Sequence, residues 1–167
     1  MTNIRRYFLS GNYYFMTHVT HNRAPILVEH FDILWAAICD IKNRYPFEII
    51  AWCILPDHVH ILINPGQTQI SAVMRRIKLS FANRYRNRIG VKRGRIWQNR
   101  FWDHQIRNEI DLNRHIDYIH YNAVKHGLVD APTEYRYSSF ANYFREGYYA
   151  ADWGILKPRN NNGDFGE

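Results

Sequence analysis

Residues 46–63, PFEIIAWCILPDHVHILI, contain two strand-like runs separated only by Pro56-Asp57. β-Branched and aromatic residues dominate both runs, and Pro-Asp is turn chemistry. So short a link predicts an antiparallel hairpin. Side chains alternate along a strand, so His58, His60 and Leu62 share one face, while Val59, Ile61 and Ile63 share the other. Two imidazoles therefore project together from a strand that otherwise reads as core. Such a pair is half of a metal site, or two histidines hydrogen-bonded at a sheet edge.

The neighbouring segments extend the pattern. NYYFMTHVT (12–20) reads as a first strand. Phe31, Leu34, Trp35, Ile38 and Ile41 recur at helical spacing over about 30–44, and Pro46 ends that run. A second helix over about 69–89 has the stripe Ile70, Val73, Met74, Ile77 and Phe81. RIWQNRFWDHQIR (95–107) is expected to be extended. Asn108 is an N-cap for a third helix, and Gly127 is its stop. The order β-α-β-β-α-β plus a helix is that of a ferredoxin-like, RRM-like α+β fold. It is an antiparallel sheet with two helices on one face, and the added helix is free to cover the histidines. The expected organisation is a single domain over 1–150 and a flexible tail over 151–167, where PRNNNGDFGE has no core-forming pattern.

The chain has 167 residues, 46% of them apolar, with a net charge of +7. Eleven of its 22 Lys and Arg fall between 75 and 107, where Asp103 is the one acid. That imbalance points to a polyanion, since each neutralised phosphate releases condensed counterions. Arg75, Arg76, Lys78, Arg84, Lys92, Arg93, Arg95 and Arg100 are the candidates for tracking a phosphate backbone. Trp97, Phe101 and Trp102 are candidates for stacking unpaired bases, although aromatics in such a stretch are more often core. Arg5 and Arg6 add charge near the N-terminus. Two cysteines and no CxxC argue against a disulfide framework or a cysteine zinc site, and the expected compartment is a reducing cytoplasm. No membrane-spanning run is seen, and no signal peptide is expected.

The third helix supplies partners for the histidines. In RHIDYIHYNAVKHG (114–127), Leu112, Ile116, Ile119 and Ala123 form one stripe, while Tyr118 and Asn122 lie one turn apart on another face, with Lys125 beside them. An amide oxygen there can complete a metal shell begun by His58 and His60. A phenolic oxygen there can attack phosphorus and store the bond energy as phosphotyrosine. With twelve tyrosines in the chain, one on a half-buried helix face is also ordinary.

Taken together, RRYFLSGNYYFMTHVTHNR, EIIAWCILPDHVHILI, IWQNRFWDHQIRN and HIDYIHYNAVKHGLV resemble the single-tyrosine HUH transposases, and most closely their REP-associated branch. The resemblance spans roughly residues 5–140. It implies that His58 and His60 are the HUH pair binding a divalent metal, Mg²⁺ or Mn²⁺, that Asn122 is a further ligand, and that Tyr118 is the nucleophile. The implied reaction is cleavage and rejoining of single-stranded DNA through a 5′-phosphotyrosine, at palindromic repeats that fold into hairpins, by a monomer. Ala123 stands where the branch often has proline. His120, two positions from Tyr118, lies about 200° round the helix and is expected to face away, while His104 either approaches the site or packs. Rival readings of the same residues are an RRM-like module that binds nucleic acid without cutting it, a nuclease that uses metal-activated water, and a relative that initiates replication or conjugation.

Overall fold

A computed structural model describes residues 13–155. The first strand, β1 (Tyr14–Val19), leads into α1 (Phe31–Arg44), which stops before Pro46. β2 (Glu48–Ile54) and β3 (His58–Asn64) form the hairpin. α2 (Ile70–Ile89) ends on Gly90, whose φ of 72° is the left-handed cap glycine supplies without a Cβ penalty. β4 (Trp102–Gln105), α3 (Glu109–Lys125) and the short α4 (Phe140–Arg145) complete the order.

The strands lie in the order β2-β3-β1-β4, and every neighbouring pair is antiparallel. This is the ferredoxin-like α+β arrangement, with β3 inside the sheet and β4 at an edge. Alternation sorts the side chains as the pattern demands. Met16, Val59, Ile61 and Ile63 enter a core with Ile38 and Leu34 of α1 and Val73, Ile77 and Phe81 of α2. Phe15, Ala51 and Leu62 enter a second core with Leu112, Ile116 and Ile119 of α3 and Phe140 of α4. Each core anchors a helix layer, and truncating one large side chain such as Phe81 to alanine costs about 3–5 kcal/mol.

The structure departs from expectation in two places. The stretch 95–107 is not one continuous strand: Trp97 makes an isolated bridge to Thr20, the chain leaves the sheet, and only Trp102–Gln105 pairs with β1. Beyond residue 130, α4 packs on the sheet's second face, with the Tyr143 hydroxyl donating to the Ile50 carbonyl at 2.7 Å, where a register shift interrupts β2. Of the segment set apart as a tail, Trp153 packs on Tyr149 with ring centroids 4.2 Å apart, whereas residues 156–167 lie outside the described residues, as do Arg5 and Arg6. Both cysteines are free thiols, and no described helix is long and apolar enough to cross a membrane.

Candidate active site

The position of β3 between β2 and β1 fixes His58 and His60. Both rings are buried, their centroids are 4.9 Å apart, and they stand nearly perpendicular. Each Nδ1 has a named partner. His60 Nδ1 meets the Thr17 hydroxyl at 2.9 Å, from the residue directly opposite on β1. His58 Nδ1 meets the Asp57 carboxylate at 2.6 Å, and Arg23 holds the other Asp57 oxygen at 3.0 Å. Burial alone would raise the Asp57 carboxyl, but the hydrogen bond and charge of His58, joined by Arg23, bring it below the usual range. Bonding at Nδ1 sets ring orientation and assigns Nε2 as the nitrogen offered to an electrophile.

α3 brings the second half of the site. Asn108 caps it, accepting from the Asp111 N–H at 2.9 Å. Its apolar stripe then lies on β2 and β3, which carries Tyr118 and Asn122 into the interior over the histidine face. The Tyr118 ring sits 5.3 Å from that of His60, edge to face, and Phe15 packs against both at 5.6 and 5.9 Å. The Lys125 ammonium is 3.3 Å from the Tyr118 hydroxyl, and His126 stacks edge-on against His58 at 4.9 Å. A cation beside the phenolic oxygen favours its deprotonated form by direct Coulomb attraction.

His104, Asp111 and His115 form a separate cluster whose ligand atoms lie within 4.8 Å of one another. Asp111 accepts from His104 Nε2 at 2.8 Å, from the Arg107 backbone N–H at 3.0 Å and from Arg107 Nε at 3.2 Å. Burial opposes ionisation there, yet these donors hold the carboxyl down to about 2. The cluster works as an ion-paired clasp between β4 and the first turn of α3, so His104 packs outside the Tyr118 site. His120 faces away, bonded at 2.8 Å to both the Tyr149 hydroxyl and Ser139 Oγ.

The basic residues divide. Arg84 is paired with Asp40, and Arg76 lies over the Tyr45 ring at 4.1 Å, so both brace α2 against α1 and the turn that follows it. Lys92, Arg93, Arg95 and Arg100 are exposed, as is Arg75. Trp97 is buried, with its N–H donated to the Lys78 carbonyl at 3.2 Å. Trp102 turns toward Phe15 and His104. Lys125 was placed beside Tyr118 and Asn122 from sequence, whereas no site role was read for Thr17, Asp57 or His126. A carboxylate immediately before a paired histidine was the one legible signal among them, whereas the Thr17–His60 contact depends on strand register.

The chain, whose inner strand presents two histidines to a tyrosine-bearing helix, matches the IS200-like transposase family over residues 9–122. It is 37% identical to the REP-associated tyrosine transposase of Escherichia coli K12 over 156 residues, which span 92% of this chain and 91% of that protein. It is also 37% identical over 165 residues to a Haemophilus influenzae protein given the same name provisionally, with 92% and 94% covered. A solved structure of a REP-associated tyrosine transposase bound to a REP hairpin shares the fold, with a TM-score of 0.75, 37% identity and coverage of 92% of this chain and 91% of that one. The chain belongs to the IS200-like transposases, in their REP-associated tyrosine branch.

Proposed function

We propose that the protein cuts and rejoins single-stranded DNA at hairpin-forming palindromic repeats, using Tyr118 as nucleophile and a divalent metal at His58, His60 and Asn122. The observation that carries this reading is the Tyr118 ring 5.3 Å from His60, with the Lys125 ammonium 3.3 Å from the phenolic oxygen. The donor set fits the metal. Two imidazoles are oriented through Nδ1 by Asp57 and Thr17, and a buried amide one turn from Tyr118 adds a hard oxygen donor. Mg²⁺ or Mn²⁺, when bound, supplies Lewis-acid polarisation of the scissile phosphate.

The residues of the chain do the rest. Tyr118 loses its proton, and its oxygen forms a bond to phosphorus as the P–O3′ bond breaks. The departing 3′ oxygen takes up a proton, leaving a 5′-phosphotyrosine and a free 3′-hydroxyl. Attack by a second 3′-hydroxyl reverses these steps and restores the phenol, so strands are rejoined without nucleotide hydrolysis. Lys125 stabilises the phenolate before attack and after release. Exposed Arg75, Lys92, Arg93, Arg95 and Arg100 track the backbone, and the protein acts as a monomer in the cytoplasm. The REP hairpin bound by the 37% identical relative supports the choice of substrate.

The test is a denaturing gel of the protein with a labelled hairpin and Mg²⁺ or Mn²⁺, run beside Tyr118→Phe. A covalent band in the wild type alone is the expected result. Cleavage without an adduct would shift the reading to a nuclease using water, and binding without chemistry would shift it to a binding module.

A further inference from the structure

β1 serves both faces of the sheet. Thr17 points at His60, so His18, one residue on, points the other way, toward α2. There it meets a cavity of about 330 Å³ between α2 and the 95–101 segment. That volume is at the small end of ligand sites, which run from roughly 300 to 1,000 Å³.

His18 is 1% exposed, and neither ring nitrogen has a hydrogen-bond partner among the described residues. Burying two polar atoms unpaired is costly, and native proteins leave few such groups without a reason. A water on the core side would find few polar partners. The void on that side is about 10 Å³, the lower limit for one water, and apart from His18 and Lys78 its walls are apolar side chains such as Leu34 and Ile61. The space for polar partners lies on the cavity side. Burial, then the charge of Lys78, holds the imidazole down to about 3, so at neutral pH it offers one donor and one acceptor.

The cavity mouth is built from aromatic rings and cations. Phe101 lies over His18 with ring centroids 4.8 Å apart, and it is 40% exposed. The Trp97 indole forms a wall. Lys78 Nζ is 5.8 Å from the Trp97 ring centre and 5.9 Å from that of Phe101, while Arg75 and Arg95 stand at the rim. A flat ligand with a polar edge and an attached anion matches each of these parts.

We propose that this cavity receives one unpaired nucleobase of the DNA strand, its faces against Phe101 and Trp97, its polar edge on His18, and its flanking phosphates on Arg75, Lys78 and Arg95. Phe101, at the mouth, rotates off His18 to admit the base edge and then stacks on the base face. β4 is a sheet edge, with Phe101 on the cavity side and Trp102 on the Tyr118 side, so a strand passing over that edge spans both sites. The inference rests on the single-stranded DNA reading above and adds a base-specific contact to it.

The experiment is an abasic scan. The probe is a hairpin with short unpaired flanks on both sides, in which each flank base is removed in turn. Affinity is measured for the wild type, Phe101→Ala and His18→Leu, and folding of each variant is checked by its melting curve. One abasic position is expected to weaken wild-type binding about 10-fold or more, in the range of one base–aromatic stack. In either variant, the intact probe binds more weakly and that same abasic position costs nothing further. Equal abasic penalties in wild type and both variants would overturn the inference while leaving the DNA reading intact. A wild type that neither binds the hairpin nor forms an adduct with it would instead overturn the DNA reading, and the base site with it.

Discussion

Replacing His18 with leucine should make the protein more stable, and increasingly so as the solution is acidified. Leucine has similar volume and no polar atoms, so the substitution removes two buried nitrogens without a partner among the described residues. Relief of that penalty is worth about 1–3 kcal/mol, against up to ~1.5 kcal/mol for the change of shape. Near pH 7.5 the variant should therefore be equal to the wild type or more stable by about 1 kcal/mol.

Acid separates the two proteins. Burial holds folded His18 at about 3, while the unfolded chain titrates near the ordinary 6.5. Below 6.5 the unfolded state takes up a proton that the folded state refuses, so wild-type stability falls from pH 6.5 down to about 3 and this loss then levels off. At pH 5 the gap is about 1.5 pH units at 1.36 kcal/mol each, or about 2 kcal/mol lost by the wild type alone. Urea unfolding at pH 7.5 and 5.0, with chelator present in every sample, gives the difference of differences, in which the remaining histidines cancel. An advantage for His18→Leu that does not change with pH would show that the ring charges inside the fold. A variant several kcal/mol less stable at pH 7.5 would show that the imidazole has a partner in the folded protein.

Other perturbations address the catalytic face. Thr17→Val removes the hydroxyl on His60 Nδ1 and should weaken Mn²⁺ binding about 10- to 100-fold in calorimetric titration, with the melting curve little changed. Lys125→Met should slow single-turnover adduct formation about 3- to 5-fold, since an exposed cation at 3.3 Å contributes up to about 1 kcal/mol after screening; an unchanged rate would remove Lys125 from the chemistry. Asp111→Asn should lower stability at neutral pH and flatten its fall in acid. The folded carboxyl sits near 2 against an ordinary 3.8, so about 2 kcal/mol is present above pH 4 and is lost as the pH drops toward 2, read by unfolding at stepped pH.

The parts visible from sequence were those set by local periodicity. The PFEIIAWCILPDHVHILI hairpin, the stripe of α2 and the Asn108 cap each follow from spacing and turn chemistry, and they fix the order of elements and the face on which His58 and His60 project. What stayed hidden depends on pairing between distant segments. The Thr17–His60 bond exists because β1 and β3 pair in one register, which alternation within each strand does not determine. The interruption of 95–107 was hidden for a related reason. Aromatic spacing there suits a strand, but Trp97 is drawn into the α2 core by Phe81 and by the Lys78 carbonyl, and the chain leaves the sheet to reach it. α4 escaped notice because its six residues are too few for a helical period to register.

The same alternation lets the two proposed sites share one strand. Thr17 and His18 are neighbours whose side chains leave opposite faces, so a shift of β1 by one residue would exchange them, pointing an imidazole at His60 and a hydroxyl into the cavity. The Thr17 hydroxyl behind His60 Nδ1 orients that ring without adding charge of its own. On the proposed reading, a neutral imidazole in the cavity meets a base edge without attracting phosphate, which falls instead to the surrounding arginines. Both residues therefore depend on a single register, which Met16 and Phe15, the fully buried pair preceding them, anchor with one side chain in each core. The stability His18 forgoes is the cost of keeping a polar group ready inside a face that the rest of α2 fills with Val73, Ile77 and Phe81.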